Sequence, residues 1–113
     1  MSDAYKVIYA PAAQGDVRAI YSYIAYEPEA EQAARGQVDR IRETVRKLDT
    51  MPERYGAVDW KPWASIGMRK VPVDNYVVFY LVDNDEKMVT VVRVFYGGRD
   101  IEGIVRETSG KNR

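Results

Sequence analysis

The chain has no cysteine and no histidine among its 113 residues. Disulfide frameworks, thiol nucleophiles, the usual structural zinc sites and every Ser-His-Asp or Cys-His arrangement are therefore excluded. Acid-base chemistry is left to carboxylate, Lys, Arg or Tyr, and no metal or cofactor is expected. Charge of one sign is also missing. The 17 Lys and Arg residues balance 17 Asp and Glu residues, so bulk electrostatics cannot hold RNA or DNA. The longest apolar run, Tyr76 to Val82, is far below the roughly 20 residues that a membrane-spanning helix needs. No basic region followed by an apolar stretch opens the chain. The expectation is a cytoplasmic, untargeted protein with no membrane partner.

What is present is an ordinary globular composition, 46% apolar and 30% charged, in a length that suits one core. Tyr5 to Tyr9 is β-branched and aromatic and stops before Pro11, which suits a short first strand. Val17, Ile20, Tyr21 and Ile24 then recur at helical spacing. Pro28 is expected to close that helix and to start a second. In the second helix Ala34, Val38, Ile41, Val45 and Leu48 form a narrow apolar seam among charged positions. A turn-rich segment, Met51 to Ser65, carries Tyr55, Trp60 and Trp63.

Three β-rich runs follow, Ile66 to Val73, Tyr76 to Val82 and Met88 to Tyr96, with connections of about two and five residues. The expected fold class is α+β, in the order βααβββ, with a helical hairpin packed on a small, twisted, mainly antiparallel sheet. A single domain is expected over residues 1–105, with a polar, flexible tail at 106–113. The pairing of the first strand is left open.

The last two strands are apolar on both faces, so both faces need a cover. The turn-rich segment with Trp60 and Trp63, the C-terminal residues and a protein partner are the alternatives. Gly97-Gly98 matches no phosphate-loop spacing and reads as a sharp turn with no helix evident after it. Polar candidates near the sheet are Arg69, Lys70, Arg93, Tyr96 and Arg99. Arginine offers a planar fork of donors for phosphate or carboxylate, and tyrosine offers a proton-carrying hydroxyl. Such a set suits metal-independent RNA cleavage, and equally suits surface pairing with acidic residues such as Asp100 or Glu102.

Across nearly its whole length the chain resembles the RelE/ParE superfamily of type II toxin-antitoxin toxins. The resemblance rests on Tyr9-Ala10-Pro11-Ala12-Ala13, Tyr23-Ile24-Ala25, Leu48-Asp49-Thr50-Met51-Pro52, Gly56, Met68 through Tyr76, Phe79-Tyr80 and Val92 through Asp100, in that order. It implies the same hairpin-on-sheet fold, a cognate antitoxin partner, growth inhibition and a role in plasmid stabilisation, with a homodimer or a toxin-antitoxin hetero-oligomer as assembly. The RelE-like branch cleaves messenger RNA on the ribosome and carries an arginine right after the tyrosine that is Tyr76 here. This chain has Val77 there, and a family lysine falls on Met68. The family arginine after strand four matches Arg99, and Tyr96 stands where histidine is common. The ParE-like branch poisons DNA gyrase and needs no strongly basic surface, so the resemblance together with neutral charge and Val77 implies a ParE-like gyrase inhibitor. The alternatives are a ribosome-dependent mRNA interferase with catalytic Arg69, Tyr96 and Arg99, or a toxin fold that only binds antitoxin. Lys70, Arg93, Tyr76, Ile101 and Ile104 are the expected target- or partner-binding residues.

Overall fold

The computed structural model describes residues 4–111. Strand β1 is Lys6–Tyr9, and Pro11 opens helix α1, Pro11–Ala25, at the first position, where a missing N–H costs nothing. Helix α2, Glu31–Arg46, begins after Glu29 has turned the chain at φ 68, three residues later than the proline suggests. A short 3-10 turn, Lys47–Asp49, continues it and buries Leu48. The strands β2 (Arg69–Val73), β3 (Tyr76–Asp83) and β4 (Met88–Tyr96) follow, then helix α3 (Ile101–Lys111). β2 starts at Arg69 rather than Ile66, because Trp63–Ile66 forms its own 3-10 turn and Gly67 reverses the chain at φ 76.

The four strands lie in the order β1-β4-β3-β2. β2, β3 and β4 form the expected antiparallel meander, and β1 lies parallel to β4 with Lys6 opposite Met88 and Tyr9 opposite Val91. The helical hairpin packs on one face. There Ala13, Val17 and Ile20 of α1 and Val38, Ile41 and Val45 of α2 meet Val71, Val78, Tyr80, Val89 and Val91. Arg40 and Gln37 of α2 both donate to Asp74 in the β2–β3 turn, at 2.7 and 3.0 Å, which fixes the hairpin over that end of the sheet.

The opposite face is covered by the chain itself. Val58, Trp60 and Trp63 from one side and Ile101, Ile104 and Val105 from the other close over Phe79, Leu81, Val92 and Phe95. Trp63 lies 4.8 Å from Phe79 between ring centroids and stacks on Trp60 at 5.3 Å. The residues expected as a polar tail from Arg106 include the last turns of α3, which runs to Lys111; residues 112–113 lie outside the described residues. Arg106 ties the helix down by donating to the Lys61 carbonyl at 3.3 Å.

A register shift between Phe79 and Tyr80 leaves Val92 as an extra residue on β4, since Phe79 faces Arg93 but Tyr80 faces Val91. Such a bulge moves everything after it by one place in the alternation. Val94 therefore joins Val89 and Val91 under the helices, and Phe95 joins Val92 on the other face. A plain alternation along β4 would set Val94 and Tyr96 opposite Val89 and Val91, and the one extra residue reverses that.

Tyr80 is fully buried at the shift and donates its hydroxyl to the Pro52 carbonyl at 2.6 Å. Burial pushes its phenol from an ordinary 10.0 up to about 12. The folded chain thus holds this proton more tightly than the unfolded chain. Stability is fully present below about pH 10 and falls as pH rises towards about 12, by on the order of 2–3 kcal/mol. Denaturant titrations over that range should show the fall in the wild type and a smaller one in Tyr80→Phe; equal falls would remove Tyr80 as the cause.

Candidate functional site

The site arises from a mismatch in strand length. β1 has 4 residues and β4 has 9, and the last β1–β4 pair is Tyr9 with Val91. From Val92 onward the edge of β4 is open, and α1 runs beside it. An open edge must satisfy its amides in some other way. Here Asp16 of α1 accepts from the Val94 N–H at 2.9 Å, the bond that a longer β1 would have made. The same carboxylate accepts from Arg93 Nε at 2.7 Å and Nη2 at 2.9 Å, a bidentate pair. The pair is only partly solvated, with the Asp16 side chain 15% and the Arg93 side chain 32% exposed. Hydrogen bonding to Asp16 holds the Arg93 guanidinium above its ordinary value. Arg93 also lies 4.5 Å over the Phe95 ring.

Above this pair opens a cleft of about 620 Å³, lined by Asp16, Ala19, Ile20, Tyr23, Tyr76, Val94, Tyr96 and Arg99. Its floor is apolar, from the buried Ile20 and Val94. Tyr76 is buried in the wall and meets Tyr96 edge to face, 5.9 Å between centroids. Burial, with Tyr23 and Tyr96 alongside, pushes the Tyr76 hydroxyl upward. Tyr23 and Tyr96 form the rim and are 80% and 50% exposed. The Tyr96 ring folds over Gly98, where a Cβ would lie 2.5 Å from its Cε2 atom. The second glycine of the pair thus lets the ring sit where it does. Gly97 anchors the turn, with its N–H donating to the Asn75 carbonyl at 2.7 Å.

Arg99 stands at the mouth, exposed, with its guanidinium 5.5 Å from the Phe95 ring centroid. The two carboxylates close to it in sequence are engaged elsewhere. Asp100 caps α3 by accepting from the Gly103 N–H at 3.1 Å, and Glu102 pairs with Arg106. A helix does begin soon after Gly97-Gly98, contrary to the sequence expectation, and Asp100 fills its N-terminus.

The other expected site residues are dispersed. Tyr76, Arg93, Tyr96 and Arg99 gather around the cleft. Arg69 does not, since it lies opposite Tyr80 whereas Tyr96 lies opposite Tyr76. Four strand residues separate those positions, roughly 13 Å along the sheet. Arg69 donates to the Glu53 and Tyr55 carbonyls at 3.1 and 2.6 Å and so pins the segment after α2. Lys70 lies on the face of β2 away from Val71 and Val73, and Ile101 and Ile104 are half-buried in the second core. Sequence reasoning missed Asp16 and Tyr23. Tyr23 stands three residues after Ile20, on the same side of α1, and that spacing was a readable signal.

Chemically the cleft offers aromatic walls, an apolar floor and one guanidinium. Its carboxylate accepts three hydrogen bonds, and its buried tyrosine holds its proton more firmly than free tyrosine. Neither suits a general base at neutral pH. Among the described residues no cluster of three or more acidic side chains is placed to hold a metal ion, and no helix is long and apolar enough to cross a membrane.

No curated protein sequence matches the chain. Among solved structures, the chromosomal ParDE toxin-antitoxin system of P. aeruginosa superposes with a TM-score of 0.69 at 19% identity, covering 84% of this chain and 98% of that one. The toxin-antitoxin complex RelBE2 of Mycobacterium tuberculosis gives 0.56 at 19% identity, covering 82% and 91%. The archaeal RelE-RelB complex of Pyrococcus horikoshii gives 0.57 at 15%, covering 85% and 98%. At such identities these likenesses establish the shared α+β fold. The family model described as ParE toxin of type II toxin-antitoxin system, parDE, matches residues 7–101, from β1 to the first residue of α3, and on that match the chain belongs to the ParE toxin family.

Proposed function

We propose that this toxin arrests growth in the cytoplasm by binding DNA gyrase, and that a cognate antitoxin holds it inactive. The observation that carries the reading is the composition of the cleft, which has three tyrosines and one guanidinium over an apolar floor and a carboxylate already committed to Arg93 and Val94. That is equipment for binding a protein surface rather than for moving protons. An antitoxin partner is supported by the family and by the complexes that the structural neighbours form.

A nuclease reading draws on Tyr96 and Arg99 alone, because Arg69 lies at the other end of the sheet. The two readings part in a direct assay. Purified protein should inhibit supercoiling of relaxed plasmid by gyrase and leave ribosome-bound messenger intact in primer extension. Codon-specific cleavage with unimpaired supercoiling would reverse the assignment.

A further inference from the structure

We infer that the cleft between α1 and the open end of β4 takes a segment of the protein target that presents an apolar side chain next to a carboxylate. The inference rests on the reading of the chain as a toxin that binds a protein, and it names the chemistry which that target must offer. The Asp16 charge is matched by the bidentate Arg93, so the charge left in the cleft is that of Arg99. Asp100 and Glu102 are engaged within α3, and Arg99 forms no ion pair among the described residues.

A single exposed guanidinium beside an apolar floor fits one carboxylate attached to an apolar group. The cavity, about 620 Å³, has room for a few side chains, in the range of about 300–1,000 Å³ common for ligand clefts. Tyrosine and arginine are also the side chains enriched where binding energy concentrates at protein interfaces. A nucleic-acid strand would instead call for several cations along its backbone. The cleft has one, in a chain whose 17 basic and 17 acidic residues balance.

The test uses three variants of the full chain, Tyr23→Ala, Arg99→Glu and Arg99→Lys, with Arg35→Ala on the exposed side of α2 as control. Each is measured for inhibition of purified gyrase, for growth arrest on induction, for thermal unfolding and for binding of a short single-stranded RNA. Tyr23→Ala and Arg99→Glu should each weaken gyrase inhibition by about tenfold or more, with unfolding as in the wild type. Arg99→Lys, which keeps the charge and loses the fork, should fall between.

Unchanged inhibition and unchanged growth arrest in both Tyr23→Ala and Arg99→Glu overturn the inference and leave the gyrase reading standing. A wild type that arrests growth without inhibiting gyrase overturns that reading alone. The growth assay then decides the cleft, since arrest lost in both variants and partly kept in Arg99→Lys supports a different protein target, and arrest retained overturns the inference. Saturable RNA binding that disappears in Tyr23→Ala overturns the protein occupant. A wild type that does none of these things overturns both.

Discussion

Replacing Asp16 by alanine is expected to destabilise the fold by about 2–4 kcal/mol, because it removes three accepted hydrogen bonds at once and strands three donors on two residues. Arg93 would keep a partly buried charge without its partner, and the Val94 N–H would lose the acceptor that stands in for a missing strand. Partial exposure of Arg93, 32%, keeps the effect below that of a fully buried pair. Asp16→Asn retains an acceptor for Val94 and should cost less than Asp16→Ala. Arg93→Met should cost less again, since the carboxylate then keeps its amide and gains access to water. Guanidinium denaturation of the singles and of the Asp16→Ala/Arg93→Met double should show that the double costs less than the sum, the mark of a shared network. An Asp16→Ala loss within about 0.5 kcal/mol, the usual surface value, would mean that the pair is ornamental to the fold.

Phe79→Ala is expected to cost about 3–5 kcal/mol, the range for removing a buried aromatic side chain. Phe79 is 2% exposed and sits at the centre of the second core, with Trp63 4.8 Å, Phe95 6.1 Å and Trp60 6.4 Å away between centroids. The chain's two tryptophans are Trp60 and Trp63, so fluorescence excited selectively at tryptophan reads this face alone and circular dichroism reads the whole fold. Both midpoints should fall together if the cover over the sheet belongs to the same cooperative unit. A fluorescence change at unaltered overall stability would show instead that the cover opens separately from the hairpin and sheet.

The elements with strong local signals were legible. The seam from Ala34 to Leu48 and the three β-rich runs each carry a clear period, and they fixed the α+β class and the meander. The apolar residues on both sides of β3 correctly demanded a second cover. They could not say which segment supplies it, because Trp60, Trp63, Ile101, Ile104 and Val105 meet Phe79 only through tertiary packing. Helix α3 is hard to see in the sequence because Gly103, Gly110 and the β-branched Ile101, Ile104, Val105 and Thr108 have weak helical preference. Its anchors are the Asp100 cap and three apolar side chains on the sheet.

In the cleft, Tyr76, Tyr96 and Arg99 were visible as residue types, and Arg69 was grouped with them because distance along a strand cannot be judged before register is known. The bulge at Val92 was equally invisible. One extra residue on β4 changes no local preference, yet it decides which face Val94 and Phe95 occupy.

The parallel pairing of β1 with β4 also bears on synthesis. Lys6 to Tyr9 leave the ribosome well before their ladder partners, Met88 to Val91. Contacts this distant in sequence make the chain-closure cost of the last step large. A growing chain that ends before β4 has an unpaired first strand, no acceptor-donor lock between Asp16 and Arg93, and only Tyr76 and the α1 residues of the cleft. The cleft therefore cannot exist on a nascent chain until β4 and Arg99 have been made. The cleft comes into being in the same step that completes the sheet.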